Sequence, residues 1–463
     1  MLHLLPPELW SYIFSLASGE DVVLYPALPT SFSPAAWYMH TLSQELALRT
    51  PHQALCDVQR YAKCTKRSIA ATCKAWHGLG TEALMHCLFF DRFDHLTGLA
   101  AFLAADPERG RWARRLHVEF FGPGKRVDNE KYIDLLQDII QHCPNLEIFI
   151  LDWLPMGAWF GVIADALATH CHNLHTARWH ATVKLAPKVI WALNKLTNLV
   201  SVQLHFSSPT SSRAAVASPS APGEPTLGTA EPTHLTLPAL QQLSIVGHAQ
   251  LFIKQASGWS LPSLRYFTFD FGSGKTDVPD IVGFLAAHGA RLVFLDVDSI
   301  PALDVPTILD LCPILTTFCF NLDWELPSST SASAVAGVAT TTQTQQTPAK
   351  LTNRPHPHIT HIGLHGLLFA FGVGFAALAH MERPVHQRAN DVNFELLASR
   401  KAFPKLESVR VLSLMVLRDW ENTGGPPVGA EGWERWERWC GVCEELGVRL
   451  EDCTGAPLKD LPR

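Results

Sequence analysis

The segment CPNLEIFIL, residues 143–151, carries the pattern that decides the fold of this chain. A turn-forming Cys-Pro-Asn precedes Leu146, and the residues three and five positions after that leucine, Phe149 and Leu151, are again apolar. Because side chains alternate between the two faces of a β-strand, this spacing predicts a strand that buries one of its faces.

The same pattern recurs along the chain, as CHNLHTARW, LTNLVSVQL, LPALQQLSI, LPSLRYFTF, ARLVFLDV, CPILTTFCF, HPHITHIGL and FPKLESVRV. The spacings between successive anchor residues are 28, 25, 41, 24, 28, 23, 44 and 47 residues. Five of them fall within the roughly 20–29 residues of a leucine-rich repeat, which the pattern resembles. The nine anchors are Leu146, Leu174, Leu199, Leu240, Leu264, Leu292, Leu315, Ile359 and Leu406.

Amphipathic segments between these strands predict helices, so the strands should be parallel and joined by helical crossovers. The predicted fold class is α/β, with an irregular leucine-rich-repeat solenoid over residues 110–420. Irregularity is expected because Leu154, His248 and Gly272 stand where regular repeats carry Asn or Cys. The predicted helices cover residues 129–143, 158–171, 187–196, 278–288 and 304–311.

The longer intervals differ in composition. Residues 207–236 and 327–355 are rich in Ser, Thr, Ala and Pro, which predicts disordered loops. The apolar run 366–379 is shorter than the roughly 20 residues that span a bilayer and should be buried core, with a helix over 390–402. Residues 421–463 should form a C-terminal cap, with a helix over 431–446 and a strand over 448–450.

The N-terminus reads Leu5-Pro6-Pro7-Glu8-Leu9-Trp10-Ser11-Tyr12-Ile13-Phe14. Proline suits the first turn of a helix, and a glutamate there complements the helix dipole. Leu5, Leu9 and Ile13 recur every four residues, which predicts an apolar stripe that Trp10 and Phe14 widen. Such a helix either covers the protein's own core or docks on another protein.

A second segment, KRSIAATCKAWHGLGTEALMHCLFF at residues 66–90, is expected to place Ile69, Cys73 and Trp76 on one helical face. Together the two segments resemble the F-box, through Leu-Pro-x-Glu-Leu, Ile-Phe and Cys-x-x-Trp. About forty residues, roughly 19–62, separate the two halves, where a compact F-box has a short loop. Split F-box-like domains of this form are similar to those of basidiomycete fungi. The resemblance covers residues 1–90.

The resemblance implies a receptor that docks a Skp-type adaptor, and through it a cullin–RING ubiquitin ligase, while its repeats hold a protein substrate. The chain itself would not be an enzyme. A repeat scaffold with a degenerate F-box and a small-molecule enzyme or sensor are the alternatives. The adaptor-binding residues it implies are Leu5, Pro6, Glu8, Leu9, Ile13, Phe14, Ile69, Cys73, Trp76 and Leu79. Variable strand positions suggest substrate-binding residues Arg178, Gln203, Arg265, Tyr266, Asp296, His361 and Arg410.

Composition narrows the class of protein. With 463 residues, 47% of them apolar, the chain can build more than one folded unit. The formal net charge is −6 and no basic tract stands out, which argues against a nucleic-acid partner. Eleven scattered cysteines predict free thiols in a reducing compartment, the cytoplasm or nucleus. The N-terminus lacks the features of a signal peptide, and no membrane partner is expected.

Motifs for chemistry are incomplete. Gly272-Ser273-Gly274-Lys275-Thr276 resembles the end of a phosphate-binding loop, but Phe269 replaces its first glycine, so we expect a turn. We expect the cysteine and histidine groups at 142–175 and 440–453 to pack, because only one Cys-x-x-Cys occurs and it falls on a predicted helix. The sequence therefore predicts no catalytic, cofactor-binding or metal-ligating residues.

Overall fold

A computed structural model describes residues 5–34, 36–39, 46–92, 94–119, 129–152, 159–207, 234–270, 281–298, 305–323, 351–367, 369–373, 383–426 and 429–458. The chain divides into two compact units. The first comprises Met1–Leu28 and His52–Leu264, and the second comprises Pro29–Pro51 and Arg265–Arg463. The domain boundaries predicted near residues 90, 110 and 420 stay predictions.

The first unit alternates helices and strands. Its helices are α1 (Pro7–Ala17), α2 (Glu20–Val23), α3 (Pro51–Thr72), α4 (Lys74–His86), α5 (Asp94–Ala105), α6 (Asn129–His142), α7 (Trp159–His170), α8 (Ala186–Lys195) and α9 (Gln250–Ala256). Its strands are β3 (Cys87–Phe90), β4 (Arg115–Glu119), β5 (Ile148–Asp152), β6 (Thr176–Thr182), β7 (Ser201–Ser207) and β8 (Gln242–Gly247).

The second unit has the same alternation. Its helices are α10 (Ile281–His288), α11 (Val305–Leu311), α12 (Arg383–Leu397), α13 (Leu414–Thr423) and α14 (Glu431–Leu446). Its strands are β9 (Tyr266–Asp270), β10 (Phe294–Asp298), β11 (Thr317–Asn321), β12 (His361–His365), β13 (Ser408–Val411) and β14 (Arg449–Glu451). A separate antiparallel pair is formed by β1 (Ala36–Met39) and β2 (Leu46–Arg49).

The strands of each unit form an open parallel ladder in which each strand pairs with the next in chain order, β3 to β8 and β9 to β14. The register aligns equivalent repeat positions: Phe149 lies opposite Ala177, and Ala177 opposite Val202. All nine anchors are at most 3% exposed, and the residues three and five positions after them at most 2%. The predicted α/β class, with parallel strands and helical crossovers, is confirmed.

Two strands of the first ladder lack the repeat pattern. The register places Leu88 of β3 and Leu116 of β4 beside Phe149, so their anchor positions are held by Met85 and Ala113. Both of these residues are buried, but neither is the leucine that the pattern requires. The first ladder therefore begins within the segment that resembles the second half of an F-box.

The prediction of one helical face through Ile69, Cys73 and Trp76 is wrong. Helix α3 ends at Thr72, Cys73 is extended with φ −160° and ψ 164°, and α4 begins at Lys74. Helix α4 then packs closely against α3, and Gly80 permits this approach. A Cβ at position 80 would lie only 2.6 Å from the Cα of Ala70. Strand β3 then begins at Cys87, directly after α4.

The loop and cap predictions are met in part. Of the first predicted loop, 207–236, Ser207 belongs to β7 and Leu235 is buried, so both of its ends are ordered. Of the second, 327–355, Leu351 near its C-terminal end is buried. Residues 208–233 and 324–350 lie outside the described residues. The helix predicted over 390–402 instead spans Arg383–Leu397. In the run 366–379, the described large apolar residues are buried as predicted: Leu367, Phe369, Phe371 and Val373.

The C-terminal segment matches its prediction closely. Helix α14 ends at Leu446 because Gly447 adopts a left-handed conformation and Val448 N–H bonds back to the Cys443 carbonyl. Strand β14 follows and pairs with β13. No helix among the described residues combines the length and the apolar character needed to cross a membrane.

Candidate docking surface

Helix α1 begins and ends as its sequence dictates. Pro7 is the first helical residue, and Glu8 lies in the first turn, where its charge complements the helix dipole. At the other end, the Ser18 hydroxyl donates to the Phe14 carbonyl at 2.8 Å, and Gly19 turns the chain in a left-handed conformation. The helix is therefore a defined element of three turns.

The inner side of α1 packs against α4 through aromatic rings. The Trp76 ring centroid lies 4.8 Å from that of Trp10 and 5.2 Å from that of Phe14. Phe14 is 2% exposed, so its ring is shielded from water. Residues from both predicted halves of the split module thus meet in one aromatic cluster.

The outer side of α1 is apolar and exposed. Leu9 is 47% exposed, Ile13 40% and Tyr12 61%. Adjacent exposed apolar side chains on one helix face are typical of a protein interaction surface. We call this surface the α1 outer face; it comprises Leu5, Leu9, Tyr12, Ile13 and Leu16.

The structure thereby separates the predicted stripe into two sides. Leu5, Pro6, Glu8, Leu9 and Ile13 are exposed on or beside α1, whereas Phe14 faces inward. The remaining predicted adaptor-binding residues are half-buried, and these are Ile69, Cys73, Trp76 and Leu79.

A buried ion pair links α2 to α3 and α4. Glu20 Oε1 lies 3.1 Å from Lys66 Nζ on α3 and 2.8 Å from His86 Nδ1 at the end of α4. Burial alone would raise the pKa of Glu20, but the hydrogen bond from His86 and the Lys66 ammonium lower it to about 2. The short helix α2 is thereby linked to α3 and α4 through two residues of the second half of the module.

The predicted substrate-binding residues have different environments. Arg178 Nε lies 2.7 Å from Asp152 Oδ1, and Gln203 is half-buried on β7. In the second unit, Asp296 is buried and accepts hydrogen bonds from Ser31 and His365, while the ring of His361 lies beside Phe32. Arg410 bonds Phe32 and Glu451, whereas Arg265 and Tyr266 are exposed.

Part of the strand face of the first ladder is covered by residues of the predicted insertion, roughly 19–62. Leu28 packs on Ile148 and Ile150, and its backbone N–H and C=O both bond the Gln242 side chain at 2.9 Å. Thr176 donates to the Pro26 carbonyl. These contacts join residues more than a hundred positions apart, so no local pattern could predict them.

The described residues include one group with the geometry of metal ligands, and it is not among the groups considered from the sequence. Donor atoms of His52, Cys56 and His117 lie within 4.8 Å of one another. By contrast, Cys143 and Cys171 are buried at the ends of repeat helices, where burial raises the pKa of both thiols to about 12. The only available sequence signal was His52 and Cys56, four residues apart and hence on one face of a helix.

No protein-family model matches the chain, and no curated protein matches it. Residues 272–276, which resemble the end of a phosphate-binding loop, lie outside the described residues. The geometry of α1 is therefore the main structural support for a function.

Proposed function

We propose that this protein is the substrate-recognition adaptor of a Skp–cullin–F-box ubiquitin ligase. The α1 outer face would dock the Skp-type adaptor, and the repeats would hold a protein substrate. Ubiquitin transfer would belong to other subunits, and the contribution of this chain would be to raise the effective concentration of substrate near them.

The observation that carries the proposal is the two-sided character of α1. Its inner side is fixed on α4 by Trp10, Phe14 and Trp76, while its outer side leaves Leu9 and Ile13 available. A helix that only covered the protein's own core would bury its apolar stripe. A rigid helix with an exposed apolar face suits a helical partner.

Copurification with the Skp-type adaptor tests the proposal. Truncating buried anchors at an interface costs about 2 kcal/mol or more, which is about thirtyfold in Kd. We therefore expect Leu9→Asp with Ile13→Asp to abolish copurification with the full chain and to leave its circular dichroism unchanged, because both side chains are exposed in the free protein.

A matched control is available on other helices. Val392 on α12 and Met415 on α13 are 45% and 44% exposed, close to Leu9 and Ile13. Val392→Asp with Met415→Asp should keep adaptor binding. Failure of the unaltered chain to bind the adaptor, or equal loss in both double variants, would favour the repeat scaffold with a degenerate F-box.

A further inference from the structure

A cluster of histidine, cysteine and carboxylate side chains lies in the first unit, among the residues of α3, β4 and β5. His52 and Cys56 are one turn apart on α3 and face the strands together. His117 is the central residue of β4, and Asp152 is the last residue of β5, the strand paired with β4. Three separate elements therefore contribute to one site.

Donor atoms of His52, Cys56 and His117 lie within 4.8 Å of one another, and Asp152 Oδ2 contacts both imidazoles. Cys56 Sγ lies 3.7 Å from His52 Nε2, and Asp152 Oδ2 lies 2.6 Å from His52 Nε2 and 3.0 Å from His117 Nε2. Zinc bonds of about 2.0–2.3 Å place neighbouring ligand atoms roughly 3.3–3.6 Å apart. The sulfur–nitrogen distance is close to this range, and the carboxylate oxygen would have to move away from His52 Nε2 by roughly 0.7 Å or more and from His117 Nε2 by roughly 0.3 Å or more.

We propose that His52, Cys56, His117 and Asp152 bind one zinc ion, which fastens α3 to strands β4 and β5. Two imidazoles, a thiolate and a carboxylate are ligands that zinc accepts, and the thiolate favours it over magnesium or calcium. Four protein ligands leave no open position, so the role of the ion is structural.

The charges of the cluster suit a dication. Zinc binds an imidazole through a neutral ring nitrogen, so the two histidines add no charge to the site. On binding, Cys56 releases its proton, and the thiolate and the Asp152 carboxylate together balance the two positive charges.

Neighbouring side chains hold the donors in place. Gln59 Oε1 accepts a hydrogen bond from Arg115 Nε at 3.0 Å, so the Gln59 amide nitrogen, 3.1 Å from His117 Nδ1, is placed to donate to that ring. In this arrangement His117 Nε2 carries the ring proton and faces Asp152 Oδ2 at 3.0 Å. Metal binding at Nε2 therefore requires the proton to move to Nδ1 and the Gln59 amide to turn its oxygen toward Nδ1. Arg178 Nε contacts Oδ1 of Asp152, as His180 Nε2 does at 3.6 Å, so neither occupies Oδ2, the oxygen that contacts His52 and His117.

Cobalt titration of the full chain tests the site. After chelator treatment and desalting, we expect Co²⁺ to give intense tetrahedral d–d absorption and a thiolate-to-metal charge-transfer band. Both should saturate at one ion per chain, and Zn²⁺ should displace the colour. Zn²⁺ should also raise the unfolding midpoint, because it binds only the folded chain.

The variants separate this site from the other cysteines. Cys56→Ser and His117→Gln should lose the saturable band, and Cys56→Ser leaves the His52–Asp152–His117 hydrogen bonds in place, so the variant should fold. Cys143→Ser, which alters another buried thiol, should keep the band. Absence of a saturable band in the unaltered chain, or its persistence in Cys56→Ser, would show that the cluster is only a hydrogen-bonded network.

Discussion

His365, the last residue of β12, is a histidine with a 12% exposed side chain, held between two carboxylates. Its Nε2 lies 2.8 Å from Asp296 Oδ1, and its Nδ1 lies 3.5 Å from Asp298 Oδ2. Burial alone would lower the pKa of His365, but Asp296 and Asp298 outweigh that effect and raise it to about 9. The imidazolium is therefore charged at neutral pH and forms part of the structure of the second unit.

This histidine should make stability fall as pH rises. In the unfolded chain a histidine has a pKa of about 6.5, so between pH 6.5 and 9 the folded protein keeps a proton that the unfolded protein has lost. The contribution is complete below pH 6.5, is lost as pH rises through 9, and has an upper limit of about 3 kcal/mol. Urea unfolding midpoints of the full chain over this range should decline, and His365→Gln should flatten the decline. An unchanged slope in the variant would contradict the assignment.

A buried ion pair helps to fix the position of the short helix α2, together with a hydrogen bond from Arg115 to the Val23 carbonyl. Lys66 is 2% exposed, and its ammonium contacts Glu20, which also accepts a hydrogen bond from His86. A buried pair adds little stability compared with apolar residues of similar size, but removal of one partner leaves a buried charge without compensation. The pair therefore matters mainly for the arrangement of α2, α3 and α4.

Glu20→Gln should destabilise the first unit by about 3–5 kcal/mol, because the Lys66 ammonium stays buried without its carboxylate. Adding Lys66→Met should recover much of the loss. Glu82→Gln is the control, since the Glu82 carboxylate is exposed and 4.0 Å from His86; it should cost less than about 1 kcal/mol. Thermal unfolding would measure all three variants, and equal losses for Glu20→Gln and Glu82→Gln would refute this account.

The strands of the ladders could be predicted where a leucine or isoleucine anchor preceded two alternating apolar residues. Met85 and Ala113 hold two anchor positions, so β3 and β4 were missed although their register is the same. Helix α14 was predicted at its observed bounds because a tryptophan-rich apolar face ends at Gly447. The repeat pattern uses only residues that are close in sequence. It therefore finds strands with the expected anchor and misses strands whose anchor position holds another residue.

The candidate sites depend on contacts that no local pattern records. Gln59 meets His117 across 58 residues, and Leu28 meets Gln242 across 214 residues. The sequence could identify α1 as an amphipathic helix, but only the packed structure distinguishes the buried Phe14 from the exposed Leu9. The zinc ligands were missed because two of them lie in residues that were interpreted as an insertion.

The strand face that was predicted to bind substrate is partly occupied by the chain itself. In the first unit Leu28 covers Ile148 and Ile150. In the second unit the Phe32 ring lies 4.1 Å from the Arg410 guanidinium, which also donates to the Phe32 carbonyl at 2.7 Å. Residues such as Arg410 therefore stabilise the fold. A substrate must bind at exposed strand positions or displace Leu28 or Phe32.

Replacing Arg410 and Arg265 by alanine distinguishes a covered position from an open one. Arg410→Ala removes the contacts to Phe32 and two hydrogen bonds to Glu451, so the free energy of unfolding should fall by about 2 kcal/mol or more. Arg265 is exposed and donates a single 3.3 Å hydrogen bond to the Arg291 carbonyl, so Arg265→Ala should change the free energy by about 0.5 kcal/mol or less. Urea unfolding of the full chain measures both. If Arg410→Ala were as stable as the unaltered chain, Phe32 would not be held on this face, and Arg410 would return as a candidate substrate contact.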